Sequence, residues 1–314
     1  MDFALSEAQR AIRIGAETFA RDHLNEDWID HDRRGRFPRD AWHRCAEFGV
    51  QGAMVPASLG GRGMDVLSTV LMLEGLGYGC RDNGLPFALA SQMWSLQAAL
   101  MRFADDAQKT RYLPRLCDGE SIGAFGITEL DSGSDTYALQ TRVEKTDGGY
   151  VLNGRKSYVT LAPVADMAIV FATRDAALGR WGISAFIVDS STPGFRTSDV
   201  VDKMGMRSCP MGELILEDCQ VPEHQARTPA TGIIAVPDRP AIIVGDEVRY
   251  NPVHQHMFLM AVLAPRVVRK NVASPINMRA QHRFKLTRPG LVVAVHRSVS
   301  LNLETALSLN RMDP

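Results

Sequence analysis

The residues best suited to chemistry crowd one short stretch: Phe125-Gly126-Ile127-Thr128-Glu129-Leu130-Asp131-Ser132-Gly133-Ser134-Asp135-Thr136. Small and hydroxyl side chains leave such a loop's backbone N–H groups and hydroxyls open to an anion or to a polar ring edge. Ser134 sits between Gly133 and Asp135, where a phosphate can approach. A plain surface turn has the same composition, so the loop alone leaves both readings open. No residue set has metal-ligand spacing. The five cysteines (Cys45, Cys80, Cys117, Cys209 and Cys219) are scattered without a CxxC pair, which points to free thiols.

The loop must be carried by something rigid. Residues 1–120 read as helices. Ser6 is placed to cap the first, with Gln9 three residues on, and Ile12, Ala16, Phe19 and Ala20 recur at helical spacing. A second helix follows Pro38, with Ala41, Trp42, Cys45 and Phe48 as one stripe and Gly49 as its stop. Residues 65–78 and 85–103 continue the helical pattern, and a short helix opens at Asp105-Asp106. The period then changes. An Asp147-Gly148-Gly149 turn precedes Tyr150–Gly154, a hairpin signal. Ala168–Thr173, Ile183–Val188 and Glu213–Leu216 are short apolar runs with β-branched residues. Residues 121–222 therefore read as a β domain, without the strand–helix–strand rhythm of a nucleotide-binding α/β unit.

Composition adds an asymmetry. The 314 residues are 45% hydrophobic and 23% charged, with net charge −1. Residues 1–222 carry 30 acids and 23 bases, whereas residues 223–314 carry 6 and 12. From Val248 to Leu303 there is no acid, against nine bases. Prolines interrupt most windows of helical length from 229 to 289. A basic tail of this kind, 249–297, would favour phosphates, but it has few aromatics and no nucleic-acid-binding motif, so no nucleic-acid partner is expected. No apolar run reaches the roughly 18 residues of a membrane span, and no membrane partner is expected. The start, MDFALSEAQRAI, is neither a secretory nor a transit signal, which makes a reducing cytoplasm the expected location.

The loop FGITELDSGSDT resembles the flavin-binding signature of the acyl-CoA dehydrogenase family. Its neighbours agree in order and spacing. Asn153-Gly154-Arg155-Lys156-Ser157-Tyr158-Val159-Thr160 resembles the family's NGxKxx(I/V)T segment. Lys203-Met204-Gly205-Met206-Arg207-Ser208 resembles its KxGxR stretch, and Glu217-Asp218-Cys219-Gln220-Val221-Pro222 its EDxxVP stretch. Upstream, Val55-Pro56 with Gly60-Gly61-Arg62-Gly63-Met64-Asp65 is similar to its VPxxxGGxGxD loop. Five motifs in order are far more specific than one.

The resemblance implies an α+β protein: an N-terminal helical domain (1–120), a middle β-barrel-like domain with the flavin motif (121–222) and an atypical, incomplete C-terminal helical region (223–314). It implies FAD as cofactor, met by Phe125, Ile127 and Thr128, with Thr128 on the isoalloxazine edge and Ser134 on the pyrophosphate. Tyr158 falls where the family sets an aromatic against the flavin, and Thr160 follows it. Ser134 and Arg207 are the implied substrate-binding residues. The implied activity is oxidoreductase chemistry of fatty acid metabolism. An acyl-CoA or acyl-carrier-protein thioester loses an α-proton to a carboxylate and a β-hydride to flavin N5, and an electron-transfer acceptor reoxidises the flavin. Family members form homo-oligomers through the C-terminal bundle.

The resemblance stops near Val221-Pro222. No carboxylate of the family's two base positions is found: the matching stretch near His256–Met260 has no acid, and a YEGT-like segment is absent. Asp246, Glu247 and Glu304 are available but off those positions, so the catalytic residue is unknown. Val299–Ala306 is similar to a family helix segment, which suggests that residues from about 224 to 294 are out of frame or heavily diverged between two family segments. Resequencing the locus tests this. The alternative function is a catalytically inactive, truncated or frameshifted homologue that acts at most as a binding or partner subunit. The altered C-terminal region also removes the basis for expecting oligomers here.

Overall fold

The computed structural model describes residues 4–222, apart from the side chains at positions 180 and 181. The proline-rich basic stretch, the 299–306 segment, Asp246, Glu247 and Glu304 lie outside the described residues.

The first helix, α1 (Glu7–His23), starts as its residues dictate. The Ser6 hydroxyl accepts from the Gln9 amide at 3.2 Å, and the Gln9 side chain accepts from the Ser6 amide at 3.0 Å. Next comes a helix that the apolar spacing does not signal, α2 (Trp28–Arg34). It buries none of its residues and ends at left-handed Gly35. α3 (Arg39–Glu47) buries Ala41, Trp42 and Cys45, the stripe expected after Pro38. α4 (Val66–Gly79) is capped by the Asp65 carboxylate, which accepts from the Ser68 amide at 2.9 Å. It lies very close to α1. A methyl at Gly79 would sit 2.2 Å from the Glu17 carbonyl oxygen, and one at Gly75 would sit 2.3 Å from that of Arg13.

α5 (Gly84–Ser91), a π-helical turn (Gln92–Gln97) and α6 (Ala98–Phe103) form one continuous rod. The wide turn lets its glutamines reach other elements. Gln92 accepts from the Gly123 amide at 2.8 Å, and Gln97 donates to the Gln51 carbonyl at 3.0 Å. α7 (Asp106–Cys117) opens with a second reciprocal capping box, between Asp105 and Gln108. Trp42, Leu76, Leu85, Leu89 and Met93 form the core of the helical part.

Seven strands follow: β1 (Gly123–Gly126), β2 (Arg142–Thr146), β3 (Gly149–Thr160), β4 (Met167–Thr173), β5 (Ile183–Asp189), β6 (Phe195–Thr197) and β7 (Met211–Pro222). β4 pairs antiparallel with β5 along one edge. Its other edge meets β1 in parallel and then the start of β2 at Arg142–Thr173. The sheet continues β2-β3-β7-β6 with antiparallel pairs. It curls into a half-barrel, so the molecule is α+β.

β4 explains how the two parts meet. Its side chains alternate between two cores. Ala168, Val170 and Ala172 face the interior of the curl with Leu152, Val188 and Leu214. Met167 and Ile169 face outward against Leu96, Leu100, Leu113 and Leu116 of the helices. A strand covered on both faces must be apolar throughout, which is why residues 168–173 show an unbroken run and not an alternating one. All five cysteines are buried, and burial pushes the Cys219 thiol up to about 11.

Candidate functional site

The hydroxyl-rich loop leaves the end of β1 and returns at β2, and it is closed at its neck. Glu129 and Ser132 exchange backbone hydrogen bonds, Glu129 N–H to Ser132 at 2.9 Å and the reverse at 3.3 Å. The Ser132 hydroxyl donates to the Asp135 carbonyl at 2.7 Å, and the Asp135 carboxylate accepts from the Tyr137 amide. At the neck, the Glu129 carboxylate accepts from the amides of Gln140 (2.6 Å) and Thr141 (2.9 Å) and from the Thr141 hydroxyl (2.5 Å). It also accepts from Lys156 Nζ at 2.6 Å, and that ammonium group reaches the Ile127 carbonyl at 3.4 Å.

Both charges are buried. The Lys156 side chain is fully enclosed and that of Glu129 nearly so. Burial raises the Glu129 carboxyl, but the hydrogen bonds from Lys156, Thr141 and Gln140 outweigh it and hold the group below its ordinary value. Burial draws the Lys156 ammonium down, opposed by Glu129. The 2.6 Å contact between Lys156 Nζ and Glu129 Oε1 is a charge-assisted hydrogen bond, which favours the ionised carboxylate.

Beside this neck β3 bulges. Its register on β7 shifts between Lys156–Leu214 and Val159–Gly212, so Ser157 and Tyr158 together oppose Glu213. The Ser157 hydroxyl donates to Glu213 Oε1 at 3.3 Å. Tyr158 takes a left-handed backbone (φ 57) and stands 59% exposed. A left-handed conformation is rare for a bulky residue and marks a constrained position. The Ser157 amide donates to the Thr128 carbonyl at 2.9 Å, which runs the 127–129 segment alongside 156–158.

The structure thus brings most of the sequence-predicted residues to one place, where the segment after β1 runs along the C-terminal end of β3. Ile127 and Thr128 are half-buried on the segment leaving β1, and Tyr158 and the half-buried Thr160 lie on the adjoining end of β3. Ser134 is exposed at the loop's outer side. Phe125 behaves differently. Its ring packs edge-on to Phe171, with centroids 5.2 Å apart, against the helix-facing core. Its backbone, and not its ring, is what it can offer a ligand. Arg207 is also held elsewhere. Its Nε donates to the Asp32 carbonyl (3.1 Å), its amide donates to Asp32 Oδ1 (3.0 Å), and its Nη1 pairs with Asp202 and with the Lys203 carbonyl. It ties the 199–210 segment to the end of α2. Next to it the Ser208 hydroxyl donates to buried Asp82 at 2.6 Å.

The residues that sequence reasoning passed over are Glu129 and Lys156, quoted within motifs but given no role. One signal was available. Lys156 shares the parity of Leu152 on β3, so simple alternation puts a lysine on the core side, where it needs a buried acid. A separate cleft of about 520 Å3 lies among Trp28, His31, Phe37, Arg39, Arg44 and Asp82, and none of the motif residues lines it. Among the described residues no cluster of His, Cys, Asp or Glu could hold a metal ion, and no helix is long and apolar enough to cross a membrane.

An exposed aromatic beside a half-buried threonine, with a closed hydroxyl-rich loop next to both, fits a flat ligand with a polar edge and a phosphate. The helices back onto the curled sheet that carries this site. Residues 6–120 match the N-terminal domain of acyl-CoA dehydrogenases and residues 124–219 their middle domain. The chain is 36% identical over 225 residues to an L-prolyl-[peptidyl-carrier protein] dehydrogenase of a Serratia species, covering 72% of this chain and 58% of the relative. It is 39% identical over 222 residues to a mitochondrial isovaleryl-CoA dehydrogenase of Pongo abelii, covering 69% and 52%. A solved structure described as PigA with FAD and proline superposes with a TM-score of 0.69 at 36% identity, over 72% of this chain and 59% of that one. The chain belongs to the acyl-CoA dehydrogenase family. It spans between half and three fifths of the length of these curated relatives.

Proposed function

We propose that this chain binds FAD along the edge formed by Ile127, Thr128, Tyr158 and Thr160 and takes part in α,β-dehydrogenation of an acyl thioester. The observation that carries this reading is the left-handed, exposed Tyr158 held next to Thr128 by the Ser157–Thr128 hydrogen bond. Bound FAD supplies the acceptor, at ring N5, for a hydride from the substrate β-carbon. Tyr158 offers a ring face for the flat group to lie on. The Thr128 hydroxyl meets the polar ring edge and so tunes its electron demand. Ser134 and the free amides of its loop receive the pyrophosphate, with Ser134 also near the pantetheine arm. The Phe125 side chain supports the strand from behind.

The thioester is carried on coenzyme A or on a carrier protein. Both carriers figure in the names of the relatives, which supports keeping the two as one chemical class. With FAD bound, turnover would require an electron-transfer acceptor as a further partner. The base that takes the α-proton is not assigned. Glu129, the carboxylate inside the motif, is already committed to Lys156, Gln140 and Thr141. For Arg207 we propose an indirect part in substrate binding, through the 199–210 segment that it anchors. The change from α7 to β1 supports dividing the chain near residue 120, with the β domain running to 222 and an atypical region beyond.

The test is the absorbance spectrum of the purified chain before and after anaerobic addition of an acyl-CoA and, separately, of a prolyl thioester on a carrier protein. A yellow flavin band that bleaches supports the full proposal. A band that neither thioester bleaches removes the dehydrogenase half and favours a binding or partner subunit. A colourless chain that takes up no added FAD overturns the proposal.

A further inference from the structure

We infer that the buried Glu129–Lys156 pair is a positioning device that sets the shape of the ligand-facing segment 127–128, and through it the affinity for flavin. The inference rests on the FAD reading above.

Glu129 stands at the start of the loop and Thr141 at its end. One carboxylate takes three hydrogen bonds from the far side of the neck: two backbone amides, Gln140 and Thr141, and the Thr141 hydroxyl. The loop between them is therefore closed by a side chain and not by strand pairing. Lys156 links this closure to β3. Its ammonium reaches both Glu129 Oε1 and the Ile127 carbonyl, so it grips the segment on either side of Thr128. The Thr128 carbonyl itself accepts from the Ser157 amide, the next residue along β3. Three successive residues, 127 to 129, are thus fastened to two successive residues, 156 and 157. Tyr158 follows immediately.

The neck has no slack. Gly154 adopts φ +153, and a methyl there would lie 2.6 Å from the Thr141 hydroxyl oxygen and 2.7 Å from Thr141 Cα. Thr141 is pinned from its other side as well, its carbonyl accepting from the Thr173 amide of β4 at 2.7 Å. Thr141 therefore cannot follow Glu129 if the carboxylate moves. A packed core would hold the loop as firmly without any charge. Replacing a buried ion pair by apolar residues of similar volume is often neutral or stabilising, so stability alone does not account for this pair. The direction of every bond here, toward the backbone of 127, 140 and 141, favours geometry.

The test compares the full chain with Glu129→Gln, Lys156→Met, the double variant, and the milder Thr141→Val. The double variant leaves no lone buried charge, so it keeps a folded chain available even where a single variant does not. Two readouts are taken: hydrogen exchange of the Gln140 and Thr141 amides in flavin-free protein, and the dissociation constant for FAD. The expected result for the double variant is at least tenfold faster exchange at these two amides, unchanged exchange in β4 and β5, and at least tenfold weaker FAD binding. Thr141→Val is expected to show the same pattern at smaller amplitude. Faster exchange with unaltered FAD binding would overturn the positioning role and leave a purely structural pair. Unaltered exchange would overturn the closing role itself. A parent chain that takes up no FAD refutes the cofactor reading, and the closing role is then decided by the amide exchange alone.

Discussion

Tyr158 yields a prediction whose sign runs against the usual order of residues in a strand. At an ordinary strand position glycine is the worse replacement, because it costs about 0.5–1 kcal/mol more backbone entropy than alanine. Tyr158, however, holds φ 57 in the β3 bulge. Any residue with a Cβ pays about 1–2 kcal/mol for that conformation, and glycine does not. The difference leaves Tyr158→Gly more stable than Tyr158→Ala by about 0–1.5 kcal/mol, centred near ~0.75 kcal/mol. Both lose the same side chain, and since 59% of the residue is exposed, its burial contributes well under the ~3–5 kcal/mol of a core aromatic. Both should also lose the ring as a platform. If that contact is worth about 1–1.5 kcal/mol, FAD binding weakens by about five- to twelvefold in each. Denaturant unfolding of the flavin-free variants and FAD titration of the same samples give both numbers. An alanine variant that is the more stable of the two would refute the bulge geometry. Equal FAD affinity in parent and variants would refute the placing of the ring against the flavin.

Thr128→Val and Ser134→Ala should each lower the flavin retained through gel filtration, by roughly the ~1 kcal/mol of a single hydrogen bond; unchanged flavin content in both would remove these residues from the site. Asp82 carries a pH dependence. Burial lifts its carboxyl above the ordinary value, helped by Asp32 and opposed by the bonds from Ser208 and Gly84. In the acid range above that ordinary value the folded chain holds a proton that the unfolded chain releases, so this group adds stability as pH falls and withdraws it as pH rises. Urea unfolding of parent and Asp82→Asn from pH 7.5 downward should show the parent gaining on the variant; a constant difference would refute it. Gly79→Ala places a methyl 2.2 Å from the Glu17 carbonyl and should cost about 1–3 kcal/mol in the unfolding midpoint, against the small gain expected of this change in a free helix.

What the sequence determined by itself was whatever neighbours along the chain decide. The Ser6–Gln9 box closes within three residues, so both partners are visible at once, and the Asp105 start of α7 follows the same rule. The Asp147-Gly148-Gly149 turn specified the β2–β3 hairpin because its geometry is local. The motif order marked the family, and the resemblance implied Phe125, Ile127, Thr128, Ser134, Tyr158 and Thr160 as flavin contacts. Only the tertiary structure decided the rest. α2 carries no apolar stripe and is held at its C-terminal end, by the Gly35 cap and by Arg207, which contacts Asp32 from 175 positions away. β1 and β6 are four and three residues long, too short for periodicity to register. The left-handed Tyr158 arises from a register shift against β7, which no window on β3 alone contains. Glu129 and Lys156 stand 27 residues apart; the parity of β3 turns Lys156 inward, but nothing along the chain names Glu129 as its partner. A buried charge is recognised by its partner, and the partner is chosen by the fold.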